Sequence, residues 1–264
     1  MADRHFDRGE AHMRKGKLGG AIREFNKAIR VDPDVSQIYV RRGKAYFEQE
    51  QYEIATRDFG EAIRLDHRNP LTYGMRGEAY RKLKKYDEAI SDFNEAARIA
   101  PDVFTTFVNR GKAYMGLGKY DEAIGDFDEA IRLNPDAIEA RDMRGEAHMR
   151  LGSYETALLD FTGAVGLSSG VSLVCLKRGK ACMTQEQYDD AVKAFTEAIV
   201  FAPDDPVAYA SRGWAYGRLG KTELAIRDLE KALSLDPEDG DQIRRELQDL
   251  RDGVDGENVG NDGS

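Results

Sequence analysis

Apolar residues recur along this chain at three- and four-residue spacing, in pairs of short runs. Tyr39, Gly43 and Tyr46 form one run, and Tyr52, Ala55, Phe59 and Ala62 form the next. That spacing is the period of an amphipathic helix, so each pair of runs predicts two helices. A brief break separates them, marked by glycine at Gly16, Gly118, Gly152 and Gly220. Asp-Pro or Asn-Pro closes other pairs at Pro33, Pro135 and Pro237. The chain is therefore read as a series of helical hairpins.

The hairpins are copies of one unit. Arg-Gly occurs at Arg8-Gly9, Arg42-Gly43, Arg76-Gly77, Arg110-Gly111, Arg144-Gly145, Arg178-Gly179 and Arg212-Gly213, each 34 residues after the last. Three columns are pure alanine in this register. Ala11 to Ala215 is the first, Ala21 to Ala225 the second and Ala28 to Ala232 the third. A phenylalanine column, Phe25, Phe59, Phe93, Phe127, Phe161 and Phe195, gives way only to Leu229. Glycine and alanine leave room where helix backbones approach, and the ring fills the space beside them.

The order aromatic-x-x-x-Gly-x-x-Tyr, then Ala-x-x-x-Phe, then Pro resembles the tetratricopeptide repeat. Tyr39, Gly43, Tyr46, Ala55 and Phe59 carry it in the second unit, and Phe107, Gly111, Tyr114, Ala123, Phe127 and Pro135 in the fourth. The resemblance implies an all-α fold, a right-handed superhelical solenoid of seven helix-turn-helix repeats with a C-terminal capping helix. The repeats are set at 2–35, 36–69, 70–103, 104–137, 138–171, 172–205 and 206–239. It also implies that the first helices line a concave face where ligands lie.

One column departs from the family. The residue before the glycine, usually leucine there, is arginine in every copy here. A guanidinium at a packing position must be paired or reach solvent. The residue before the phenylalanine column is Glu24, Asp58, Asp92, Asp126, Asp160, Ala194 and Asp228. Arginine-carboxylate rungs between the two helices of a hairpin are expected, setting register rather than binding anything.

After the last unit, Ile243, Leu247 and Leu250 share a stripe over residues 240–251, the capping helix. Residues 252–264 show no periodicity and are expected to be disordered. The fifth unit is irregular, with Gly163 and Gly166 inside its second helix and Ser168-Ser169-Gly170 in place of the usual turn. A flexible joint between the fifth and sixth units is expected there.

Composition narrows the function. The net charge is -9, but residues 236–264 carry -7 of it, so the repeats are nearly neutral. No dense basic stripe exists for a phosphate backbone, so no nucleic acid partner is expected. No apolar run spans a bilayer and the N-terminus is charged, so neither membrane insertion nor a secretory leader is expected, and the localisation read is cytoplasmic. The only cysteines, Cys175 and Cys182, lie too far apart along a helix to bond and fall in aromatic columns, as small packing residues.

Fragments that suggest catalysis do not hold. Gly166-Leu167-Ser168-Ser169-Gly170 fits a nucleophile elbow but follows a helix and has no later histidine. Gly220-Lys221-Thr222 looks like the end of a phosphate loop but is an interhelix turn lacking the required earlier glycine. His12 and His148 stand in a tyrosine column and read as core. No enzyme activity, cofactor or metal site is expected.

The remaining candidate is the face of the first helices, at the second, fifth, sixth, ninth, twelfth and thirteenth positions of each unit. All six internal methionines fall there: Met13, Met75, Met115, Met143, Met149 and Met183. Such side chains adapt to varied apolar partners. The candidate groove comprises Val40, Lys44, Phe47, Met75, Val108, Asn109, Lys112, Met115, Met143, Met149, Leu176, Lys180, Met183 and Trp214. The bland alternative is that these residues only pack first helix on first helix. The ninth column alternates in sign, Glu10, Lys44, Glu78, Lys112, Glu146 and Lys180, and reads as a charge ladder along the groove floor. A lysine-asparagine clamp of the kind the family uses for chaperone C-termini is absent apart from Asn109. The expected role is a protein-interaction scaffold holding an apolar or amphipathic peptide or partner surface. The alternative is a self-assembling homo-oligomer.

Overall fold

The structure, a computed structural model, describes residues 1–165, 171–235, 238 and 240–261, and these hold fifteen helices and no strand. The helices come in antiparallel pairs. They are α1 (Ala2–Arg14) with α2 (Leu18–Val31), α3 (Ser36–Glu48) with α4 (Tyr52–Leu65), α5 (Pro70–Lys82) with α6 (Tyr86–Ile99), and α7 (Phe104–Gly116) with α8 (Tyr120–Leu133). Then follow α9 (Ile138–Arg150) with α10 (Tyr154–Val165), α11 (Val171–Thr184) with α12 (Tyr188–Phe201), α13 (Pro206–Arg218) with α14 (Thr222–Ser234), and lastly α15 (Gly240–Asn261).

The chain divides into two compact units after Ala140, inside α9. The division does not fall between the fifth and sixth hairpins, where the sequence suggests a joint. The residues that suggest it, Gly166 and Ser168-Ser169-Gly170, lie outside the described residues, as does the elbow-like motif. Each unit is an all-α repeat solenoid in which second helices also pack on the next first helix, as α4 does on α5 and α12 on α13.

Local chemistry sets the ends of the helices. Gly16, Gly118, Gly152 and Gly220 take φ between 65° and 76°, the left-handed turn that satisfies the carbonyls ending the first helix. Glu50, Lys84 and Glu186 occupy the same turn in three other hairpins at φ 57° to 60°, and bear the Cβ strain that glycine avoids. Between hairpins, the carboxylate of Asp66 accepts from the Arg68 amide at 3.1 Å, and the Asn134 side chain does the same for Asp136 at 3.1 Å. Asn69 and Asp205 cap α5 and α13, each followed by a proline at the first helical position.

The core is the repeat pattern made physical. The alanines of the second column and the six phenylalanines are all essentially sealed from solvent. Each phenylalanine lies against the glycine of its own hairpin. A Cβ built on Gly43, Gly77 or Gly111 would lie 2.8, 2.9 and 2.6 Å from the Cε1 of Phe59, Phe93 and Phe127. No side chain of any size fits there.

The arginine rungs are present and reach further than the sequence suggests. Arg42, Arg76, Arg110, Arg144 and Arg212 each donate Nε and Nη2 to the two oxygens of Asp58, Asp92, Asp126, Asp160 and Asp228, at 2.5 to 3.0 Å. The third nitrogen crosses to the preceding hairpin. Arg42 Nη1 donates to Asn26 at 2.6 Å, Arg110 to Asn94 at 2.7 Å and Arg212 to Thr196 at 3.2 Å. Arg76 has Gly60 at that place, which offers no side chain. One residue thus rivets three helices. The first and sixth hairpins depart from this scheme. Glu24 takes His5 and Lys27 instead of Arg8, and Arg178, opposite Ala194, pairs with Glu197.

Burial pushes the Asp92 and Asp126 carboxyls above their ordinary range, against the lowering effect of Arg76 and Arg110. The same hydrogen bonds raise the arginines. An arginine is charged at every accessible pH, so the carboxylate end sets the sign. A raised carboxyl is least costly to fold below its ordinary pKa of 3.8, and its ionisation subtracts stability as pH rises through that range.

α15 covers the last hairpin, with Ile243 and Leu247 buried against Ala210, Leu229 and Ala232. The helix continues to Asn261, ten residues beyond the point where the loss of apolar periodicity suggests a disordered tail. No proline interrupts that stretch. A helix already nucleated pays only the propensity cost of each added residue.

Candidate functional site

The first helices carry the candidate groove residues, and nine of the fourteen line one of three clefts. Lys44, Phe47, Met75 and Asn109 line one cleft of about 340 Å³, walled by α3, α5 and α7. Met149, Leu176 and Lys180 line a second, of about 570 Å³, over α9, α11 and α13. Met183 and Trp214 stand at a third, where Gln242 and Glu246 of α15 form part of the wall.

Two candidates are largely buried. Val108 and Leu176 are only 3% and 6% exposed, and pack with Ala130 and Ala140, and with Phe195 and Ala208. At these two fifth positions the side chain is spent mostly on the core even where it reaches the edge of a cleft. Trp214 is half-buried and packs against the Ile243 and Leu247 cluster, which commits much of its ring to the capping helix. Val40, Met115 and Met143 are half-buried, outside these three clefts. The six internal methionines are all partly open, neither sealed nor fully exposed.

The ninth-position ladder is also corrected, because its members do not pair with one another. Glu10 meets Arg41 at 3.4 Å, Glu78 meets Arg81 at 2.6 Å, Lys112 meets Glu139 at 2.5 Å and Glu146 meets Lys177 at 2.5 Å. Opposite charges at the second, sixth and twelfth positions are nearer than the next ninth position, so these four charges are satisfied locally. Lys44 has only Glu48, at 3.9 Å on its own helix, and Lys180 makes no ion pair among the described residues.

Side chains that the sequence reading passed over complete the surface. Leu71 and Leu173, both at the second position of their units, are 65% and 57% exposed and line the first and second clefts. Val207, at the same position, joins the second. The second position counts as part of the face, but its apolar members had no aromatic or sulfur signature to single them out.

Among the described residues no three of His, Cys, Asp and Glu converge to hold a metal. Cys175 and Cys182 are buried, and burial pushes the Cys175 thiol up to about 11, which leaves it an unreactive packing group. Gly220 and Lys221 form the turn into α14, not a phosphate loop. Among the described residues no helix is long and apolar enough to cross a membrane.

Comparison with known proteins agrees with this architecture. Family models described as Tetratricopeptide repeat match residues 36–69, 70–103, 108–171 and 206–239, and one described as TPR repeat matches 9–49 and 179–220. No curated protein matches the sequence. Among solved structures, a tetratricopeptide repeat protein from Parabacteroides merdae is 18% identical with a TM-score of 0.69, covering 95% of this chain and 98% of that one. The C-terminal part of a TPR repeat-containing protein from Cytophaga hutchinsonii is 19% identical with a TM-score of 0.74, covering 90% and 98%. YrrB, described as a TPR protein with an unusual peptide-binding site, is 23% identical with a TM-score of 0.58, covering 70% and 95%. At these identities the likeness is one of fold, and the family models supply the lineage. With its hairpins, its glycine, alanine and phenylalanine columns in one register and those family matches along its length, the chain belongs to the tetratricopeptide repeat family.

Proposed function

We propose that this chain is a non-catalytic interaction scaffold that holds a peptide or partner surface along its first helices. The observation that carries the reading is the clefts that first helices line within each unit, in which partly open methionines stand beside exposed Leu71, Leu173 and Val207. Apolar side chains left open on a rigid scaffold mark an interaction surface. The peptide-binding site in the name of YrrB, a structural relative, is in keeping with this reading.

Changing Met75, Met149 and Met183 to glutamate is expected to abolish partner capture and leave helicity intact, because all three are partly open. Affinity capture from a native lysate, side by side with circular dichroism, makes the test. Partners retained at full yield by the triple variant would show that this face is not the site.

Self-association is the second reading, favoured by apolar exposure on the opposite helices. Leu159 on α10 and Val200 and Phe201 on α12 are all more than half exposed. A sedimentation coefficient that rises with concentration supports this reading, and one that stays at the monomer value removes it.

A further inference from the structure

The cleft over α3, α5 and α7 exists because one side chain is missing. The fifth position of the unit is Phe6, Val40, Gly74, Val108, Asp142, Leu176 and Ala210. Where that position is Val108, Leu176 or Ala210, it is buried in the wall between hairpins. At Gly74 there is nothing to bury, and a Cβ built there meets no atom within 4 Å. The unfilled space reaches the core rings Phe59 and Phe93, with Phe47, Leu71 and Met75 around it. At about 340 Å³ it is of the size that takes a small ligand or one large side chain.

The rim carries one charge of each sign, and only the acidic one is firmly paired. Glu78 is held by both arms of Arg81, at 2.6 and 2.7 Å. Lys44 is the cation left over, since its contact to Glu48 is a loose surface pair at 3.9 Å that contributes little. The side chain of Asn109, on the far wall, makes no hydrogen bond to another described residue.

We infer that the Gly74 cleft is an anchor site for an extended peptide that inserts one apolar side chain, leucine, methionine or phenylalanine, and sets an acidic residue on Lys44. Neighbouring first helices lie ~8–10 Å apart and an extended chain advances ~3.3 Å per residue, so the acid stands about three positions from the anchor. Asn109 is placed to meet the peptide backbone on the other side. A single desolvated anchor with a charged neighbour concentrates binding in a small area. The inference rests on the reading of the first-helix face as the interaction surface.

Selection of phage-displayed random dodecapeptides on the immobilised full chain tests it, with fluorescence anisotropy on the selected peptides. The winners are expected to share an apolar residue with an acid about three positions away. Gly74→Leu, which fills the hole with the side chain the same column carries at Leu176, should weaken them at least tenfold. Because that substitution enters open space and removes a glycine from a helix, it should raise the melting temperature, so lost binding cannot be put down to misfolding. Lys44→Glu should weaken them about fivefold, and replacing the peptide's acid with lysine should restore binding to that variant. Peptides that bind Gly74→Leu at full strength but fail on the triple methionine variant overturn the anchor and leave the broader face standing. Peptides indifferent to both, or the absence of any selected binder, overturn both.

Discussion

Asp126→Ala is expected to destabilise the chain by about 3 kcal/mol, while the pair of changes Arg110→Met and Asp126→Leu restores stability to near or above the starting value. The asymmetry comes from burial. The Arg110 guanidinium gives two hydrogen bonds to Asp126 and one to Asn94, and it lies over the Phe107 ring at 5.4 Å. With Asp126 gone, a half-buried cation is left without its counter-charge. With both gone, the site takes apolar side chains of similar volume, and the desolvation that already pushes the Asp126 carboxyl up is no longer paid. Chemical denaturation of the two variants measures the difference. If the single change is as mild as the double, the rung is a surface pair and the account of register fails.

Gly111→Ala is expected to cost about 2 kcal/mol, the reverse of the ~1 kcal/mol gain that glycine to alanine normally brings inside a helix. The new methyl would sit 2.6 Å from Phe127 Cε1, with Cζ and Cδ1 at 2.9 and 3.0 Å, and that ring has no exposed side to turn toward. Phe127→Leu in the same chain should recover part of the loss. The last hairpin shows why, because there Leu229 stands in the ring's place and a Cβ on Gly213 would meet it at 3.0 Å rather than inside it. Equilibrium unfolding of the single and double variants provides the test. A neutral Gly111→Ala would mean that the helices can move apart at no cost, and that the columns do not record close packing.

Much of this was legible before any coordinates. A repeat writes each contact several times, so the glycine-phenylalanine approach and the arginine-aspartate rungs stand out as columns. The same redundancy misled where a column is regular for a local reason. Glu10, Lys44, Glu78 and Lys112 alternate in sign as a ladder would, yet each charge with a close partner finds it at another position of the unit. Val108 and Leu176 looked available because their column borders the face, and they are core because the face ends above them.

The sequence by itself determined the period, the hairpins, the buried columns and the pairing of Arg with Asp within a hairpin, since all of these depend on residues close together in the chain and repeated in phase. Only the tertiary structure decided that Arg42, Arg110 and Arg212 also grip the preceding hairpin, that the second-position leucines stand open, and that Gly74 leaves a cleft. A missing side chain becomes a cavity only when the surrounding helices are held too rigidly to close over it. That rigidity belongs to the stack and to no single repeat.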